Sequence, residues 1–157
     1  MPIYAEERVA TNIKYRYPYA FAKKPYPGAP TFAMHHIRSG HLHIEGAEVE
    51  AIRVQHGKLP ILGFRFGDFA YLTDLNGIPE NSVELLRNLD VLVIDALHHR
   101  PHHSHYNVNQ ALAVIDELKP EKAYLTHISH DMGLHDNMNQ QLPENVELGY
   151  DGLCFEF

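Results

Sequence analysis

Residues 123–131 read AYLTHISHD, and they decide the fold because a short apolar run in them changes abruptly to polar side chains. The run Ala123-Tyr124-Leu125 carries no charge and follows Lys119-Pro120, where a helix would end, so we predict a buried strand. Thr126 and His127 follow at once. Ligands and catalytic groups of open α/β sheets lie just outside such strand ends.

Two other predicted strands end in the same way: residues 52–55 run into His56, and residues 69–73 run into Asp74. Imidazoles and carboxylates are metal-binding groups, so His56, Asp74 and His127 at three strand ends predict half of a metal centre. Each residue alone has a structural alternative. His56 could be a hydrogen-bonded loop histidine, Asp74 a helix N-cap, and His127 a structural histidine at a strand end.

Composition indicates a single domain covering residues 1–157, with the 45% hydrophobic share of an ordinary globular protein. The net charge of −7 argues against nucleic acid as a partner. A lone Cys154 excludes an intramolecular disulfide, and no stretch is long and apolar enough for a membrane span, so we predict a cytoplasmic protein. Histidines number 13, as many as lysines and arginines together, which asks for a metal or acid–base explanation.

The order of predicted elements is β-rich first and alternating afterwards. The predicted strands are residues 2–5, 31–37, 41–44, 48–55, 59–66, 69–73, 91–94, 123–125, and a terminal pair at 146–150 and 153–157. The predicted helices are residues 6–17, a short one from Pro79, and 107–119. This order predicts a layered α/β domain with a mixed sheet and flanking helices.

Six stretches in order and spacing resemble the C-terminal half of metallo-β-lactamase-fold hydrolases, in the branch that contains the phosphoribosyl cyclic phosphate phosphodiesterase. These stretches are VQHGKLPILGFRF, YLTDLNGIPE, VLVIDALHHRP, SHYNVNQALAVI, YLTHISHD and ELGYDGL. The resemblance implies part of a four-layer αββα sandwich. It also implies a hydrolase of small phosphoesters, most simply a phosphodiesterase, that uses divalent zinc or manganese.

The resemblance also implies roles for individual residues. His56 would bind one metal ion, Asp74 would bridge two, and His127 would bind the second. His105 would handle the phosphate or protonate the leaving group, which suits a residue type that ionises near neutral pH. His130 would face the substrate or support a ligand.

Asp95 ends the VLVI strand, where a carboxylate can orient a ligand imidazole. Four further histidines, His98, His99, His102 and His103, are interpreted as parts of a solvated loop around Pro101.

The chain departs from the family at its main metal motif, His-x-His-x-Asp-His, which does not occur in it. The nearest string, His41-Leu42-His43-Ile44-Glu45-Gly46, lies between predicted strands, so we interpret it as an exposed hairpin with two surface histidines on one face. We therefore expect that the N-terminal half of the sandwich is missing and that the chain starts at an internal methionine. An exposed apolar sheet face would then favour a homo-oligomer.

Two other functions remain open on the sequence. The chain could be a histidine-rich metal-binding protein that uses residues 98–105, or a non-catalytic interaction module with the same fold. With only three ligands for two metal positions, we expect weak or no activity from this chain alone.

Overall fold

A computed structural model describes all residues from 1 to 157. The backbone contacts divide into two compact units, Met1–Ser39 and Gly40–Phe157. No helix is both long and apolar enough to cross a membrane.

The first unit is a small β-α-β arrangement. Strand β1 (Pro2–Ala5) leads into helix α1 (Glu7–Arg16), a 3₁₀ turn follows at Pro18–Phe21, and strand β2 (Ala33–His36) pairs parallel with β1. The helix ends before Pro18, since a proline and the residue before it disfavour helical continuation.

The second unit is built on a seven-stranded mixed sheet with the order β3-β4-β5-β6-β7-β8-β9. The strands are β3 (Gly40–Ile44), β4 (Ala47–His56), β5 (Leu59–Phe66), β6 (Phe69–Leu72), β7 (Val91–Asp95), β8 (Lys122–Thr126) and β9 (Val146–Leu148). The first four form antiparallel neighbours, whereas β6, β7, β8 and β9 run parallel.

Helices connect the parallel strands and cover one face of the sheet. They are α2 (Glu80–Val83), extended by a 3₁₀ turn at Glu84–Leu86, then α3 (Val108–Leu118) and α4 (His135–Asn139). The side chain of Asn107 accepts a hydrogen bond from the Gln110 amide, and Gln110 returns one to the Asn107 amide, so a capping box fixes the start of α3.

The main core lies between α3 and the parallel strands. The apolar stripe of α3 packs on every second residue of β7 and β8, because alternate side chains of a strand point to the same face of the sheet. Its buried members are Val108, Ala111, Ile115 and Leu118 from the helix, and Leu92, Ile94, Ala123 and Leu125 from β7 and β8. The predicted buried strand at 123–125 is therefore confirmed.

The other face of the sheet is partly covered by the C-terminal segment. Leu153 and Phe155 pack against Val93 and Tyr124, and the Phe155 ring stacks on Tyr124 at a centroid distance of 5.3 Å. The predicted second strand at residues 153–157 is wrong: the segment pairs with no strand and is held by side-chain packing instead.

The polar segment before residue 141 also contains more structure than its composition indicates. A 3₁₀ turn spans His130–Met132, and α4 follows it. Met132 and Met138 anchor these elements in the core, although they are isolated apolar residues in a polar stretch.

Candidate metal centre

The direction of the strands brings the predicted ligands to one edge of the sheet. Strand β5 is antiparallel to both β4 and β6, and β6, β7 and β8 are parallel, so β4, β6, β7 and β8 all end at the same edge. His56, Asp74, Asp95 and His127 lie at or just beyond these four ends.

His56 is held in one orientation by the backbone. Its Nδ1–H donates to the carbonyl oxygen of Asp74 at 2.7 Å. This hydrogen bond leaves the lone pair of Nε2 available, as in metal-bound histidines, whose second ring nitrogen usually donates to a carbonyl or carboxylate. The loop after His56 is closed by Gly57, whose φ of +60° suits glycine and whose amide donates to Asn76 Oδ1 at 2.8 Å.

Asp74 and His127 both have left-handed backbone conformations, with φ values of 58° and 60°. Such a conformation costs a residue with a side chain about 1–3 kcal/mol, and these conformations concentrate at functional sites. His127 Nε2 lies 3.4 Å from Asp74 Oδ1. The strained turns therefore aim the carboxylate and the imidazole at each other across β7.

His105 reaches the same place from the loop between β7 and α3. Its ring stacks on His127 at 4.6 Å and meets His56 edge-on at 4.7 Å. Its Nδ1–H donates to Asp95 Oδ2 at 3.0 Å. His105 is thus fixed on one side by a carboxylate and presents its other nitrogen among the predicted ligands.

Asp95 is completely buried and pairs with His105 and with the backbone. Its Oδ2 also accepts the Leu75 amide at 3.2 Å, whereas Oδ1 has no hydrogen-bond partner. Burial raises the pKa of Asp95, and the hydrogen bond from His105 opposes that rise. The carboxylate that we expected to orient a metal-binding imidazole therefore orients the predicted acid–base residue.

Two sets of ligand atoms lie close enough to surround an ion. The first set is His56, Asp74 and His105, the second is Asp95, His105 and His127, and the atoms of each set lie within 4.8 Å of one another. The chemistry of these donors, imidazole nitrogen and carboxylate oxygen, fits zinc or manganese.

Asn76 is a structural residue of this site that the sequence analysis missed. Its Oδ1 accepts the Gly57 amide, and its Nδ2 donates to the His103 carbonyl at 2.9 Å, so it ties the His56 loop to the loop carrying His105. Its position two residues after Asp74, before Gly77, was the available signal, since such loop asparagines satisfy backbone groups.

His130 is not among the side chains that these two sets bring together. Its side chain is 95% exposed, and its ion-pair partner is the neighbouring Asp131, at 3.6 Å. The four loop histidines are less uniform than expected. His98 and His102 are half-buried with ring centroids 6.0 Å apart, and His98 Nδ1 is buried without a partner, whereas His99 and His103 are exposed.

Comparison with known proteins gives the family. Residues 1–128 match the Beta-lactamase superfamily domain. The chain belongs to this superfamily. The predicted family and fold class are thereby confirmed, and the seven-stranded mixed sheet with flanking helices is its β-lactamase-superfamily scaffold.

Solved structures agree with this assignment. A diphosphatase of the PhnP family is 38% identical, with a TM-score of 0.88 over 98% of this chain and 56% of that chain. Zinc-bound PqqB from Methylobacterium extorquens is 12% identical, with a TM-score of 0.69 over 100% of this chain and 62% of that chain, and it shows the shared fold.

One curated relative carries a different name. An octanoyltransferase from Porphyromonas gingivalis is 36% identical over 155 residues, which are 98% of this chain but 32% of that protein. The chain thus spans about a third of that relative and about half of the diphosphatase.

Proposed function

We propose that this superfamily domain takes part in metal-dependent hydrolysis of a small phosphoester, as a phosphodiesterase or a related phosphoesterase. The observation that carries the proposal is the convergence of His56, Asp74, His105 and His127 at one edge of the sheet. The similarity to a PhnP-family diphosphatase at 38% identity supports a phosphoester as the substrate class.

His56, Asp74 and His127 would hold the divalent ions, with Asp74 placed between the two imidazoles. Bound ions of this kind polarise a phosphoryl oxygen and activate water. The donor set fits zinc or manganese equally, because both accept imidazole and carboxylate ligands.

His105 would move a proton at its Nε2. Asp95 accepts the Nδ1–H, so Nε2 faces the cluster, and the imidazolium form of the ring would give its Nε2 proton to a departing alkoxide oxygen and become neutral imidazole. The carboxylate is buried and therefore keeps the ring orientation fixed rather than exchanging with solvent. We assign His105 as the general acid and Asp95 as its positioning residue. His130, predicted to face substrate, would contribute only by moving toward the site, given its exposure.

Three ligands shared between two positions bind metal weakly, and the superfamily's His-x-His-x-Asp-His motif does not occur in these residues. Activity from this chain alone should therefore be low.

The first experiment measures metal binding and substrate class on the same protein. Isothermal titration with Zn²⁺ and Mn²⁺ should show binding in the wild type that is weakened in His56→Ala and Asp74→Asn. Inorganic diphosphate should then raise the melting temperature of the metal-loaded wild type, because phosphoryl oxygens occupy the open ligand positions.

Hydrolysis of bis(p-nitrophenyl) phosphate is the second readout, with a thioester and a β-lactam as alternative substrates. We expect slow, chelator-sensitive cleavage of the phosphodiester. Metal binding unaffected by Asp74→Asn, or preferential cleavage of the thioester or lactam, would contradict the proposal.

A further inference from the structure

A second group of histidines and carboxylates lies on the β3–β4 hairpin, outside the candidate centre. The turn at Glu45-Gly46 has φ values of 51° and 90°, as a tight two-residue hairpin turn requires. The resulting register places His43 opposite Glu48 and His41 opposite Glu50. Because side chains alternate along a strand, all four project from one face of the hairpin.

The carboxylate of Glu48 contacts the imidazoles of both His41 and His43. His41 Nε2 lies 2.6 Å from Glu48 Oε2, and His43 Nδ1 lies 2.7 Å from Glu48 Oε1. Glu50 Oε2 lies 3.6 Å from the other ring nitrogen of His41. Two imidazoles therefore share one carboxylate, with a second carboxylate beside them.

The nearby Arg65 leaves these carboxylates available to bind a metal ion. Arg65 sits opposite Glu50 on β5, but its guanidinium donates to the carbonyls of Gly67, Leu85 and Arg87 and to Asp68. A depression of about 230 Å³ beside these residues is lined by His41, Glu48 and Glu50 together with Val49, Arg65 and Gly67.

The donors suit a transition metal rather than a hard cation. Two imidazole nitrogens with carboxylate oxygens are a common ligand set for Zn²⁺, Ni²⁺ and Cu²⁺. The exposed imidazoles, at 67% and 64%, can rotate to close around an ion.

We propose that His41, His43 and Glu48 form a surface site for a divalent transition-metal ion, separate from the metal centre at the strand ends. Glu48 lies eight residues before His56 on β4, which is about 26 Å along an extended strand. One ion cannot use both groups. The hairpin site is independent of the proposed hydrolase function.

The test is the Zn²⁺ stoichiometry of the full chain, measured by competition with a chromophoric chelator. The double variant His41→Ala/His43→Ala should bind one ion fewer than the wild type. Glu48→Gln and each single histidine variant should lower the affinity for that ion by about tenfold or more, since chelation depends on several ligands acting together.

Two controls separate this site from other histidines. His35→Ala/His36→Ala removes two exposed histidines of β2 that alternate to opposite faces of their strand, and it should keep the wild-type stoichiometry. His56→Ala/Asp74→Asn should lose metal at the strand ends and retain the hairpin ion.

Unchanged stoichiometry and affinity in His41→Ala/His43→Ala would overturn the proposal and leave the contacts as ordinary surface ion pairs on an edge strand. Loss of the hairpin ion in His35→Ala/His36→Ala to the same extent would also overturn it, since binding would then be unspecific. Circular dichroism of each variant verifies that the hairpin change leaves the fold intact.

Discussion

Two regions of this molecule are rich in histidine and carboxylate, and they are organised by different physics. At the strand ends, His56, Asp74 and His127 are positioned by backbone hydrogen bonding and left-handed turns. On the β3–β4 hairpin, His41 and His43 are positioned only by strand alternation and a shared Glu48. The same residue types thus give a preorganised site in one place and an adaptable one in the other.

The difference lies in the buried and hydrogen-bonded residues that support each site. Asp95 is buried behind His105, and Asn76 joins two loops of the centre. The hairpin residues face solvent on β3, an edge strand, and on its neighbour β4, and an ion pair there contributes little to stability because water and salt screen it. Substitutions at the centre should therefore have larger effects than substitutions at the hairpin.

The largest effect is expected at Asp74. Asp74→Asn removes the carboxylate charge between the two imidazoles, so Zn²⁺ affinity at the centre should fall by about 100-fold or more, given that even outer supporting groups cost 10–100-fold. Titration calorimetry measures this change. Asp68→Asn, in the exposed turn before β6, is the matched control and should leave the affinity unchanged. An equal loss in both variants would show that the lost affinity does not come from the carboxylate at the centre.

A smaller effect is expected at Asp95. Asp95→Ala leaves the buried Leu75 amide and the His105 ring N–H without an acceptor, so the free energy of unfolding should fall by about 1–3 kcal/mol relative to Asp95→Asn, which keeps one oxygen acceptor. Urea denaturation measures the difference. Identical stabilities of the two variants would show that these hydrogen bonds contribute nothing.

The pH dependence of the free energy of unfolding tests whether Asp95 carries a buried charge. The pKa of Asp95 is raised in the folded state, so its contribution to stability is full below the unfolded pKa and is lost as pH rises through the folded pKa. Wild-type stability should therefore decline relative to Asp95→Asn as pH increases through this range.

The left-handed backbone at His127 predicts that glycine is more stabilising than alanine at this position, the reverse of the usual order. Because φ is 60° there, His127→Gly should be more stable than His127→Ala by about 1 kcal/mol. At the next residue, Ile128, glycine should instead be less stable than alanine by about 0.5–1 kcal/mol, the usual entropic cost. Thermal unfolding of the four variants measures both differences, and the same order at both positions would contradict the strain.

The smallest effect is expected at the hairpin without metal. Glu48→Gln should leave the melting temperature of the chelator-treated protein unchanged, since its ion pairs are solvated. With Zn²⁺ present, the wild type should gain melting temperature over Glu48→Gln. A large loss without metal would mean that the hairpin is as preorganised as the centre.

Much of the fold could be predicted because local patterns of apolar residues agreed with the strands and helices that form in the tertiary structure. The uncharged run at 123–125 became β8, and the apolar spacing from Val108 to Leu118 became the buried stripe of α3. Prediction failed where packing decided. Residues 153–157 alternate like a strand but have no neighbouring strand, and Met132 and Met138 bury a segment whose composition is polar.

The sequence by itself determined the superfamily, the order of the elements and the position of His56, Asp74 and His127 at strand ends, because apolar runs and turn residues act locally. Only the tertiary structure decided which side chains meet. The antiparallel–parallel strand order brings distant strand ends to one edge, and the β7–α3 loop then sets His105 against Asp95. Such contacts depend on the whole sheet, so no local pattern specifies them.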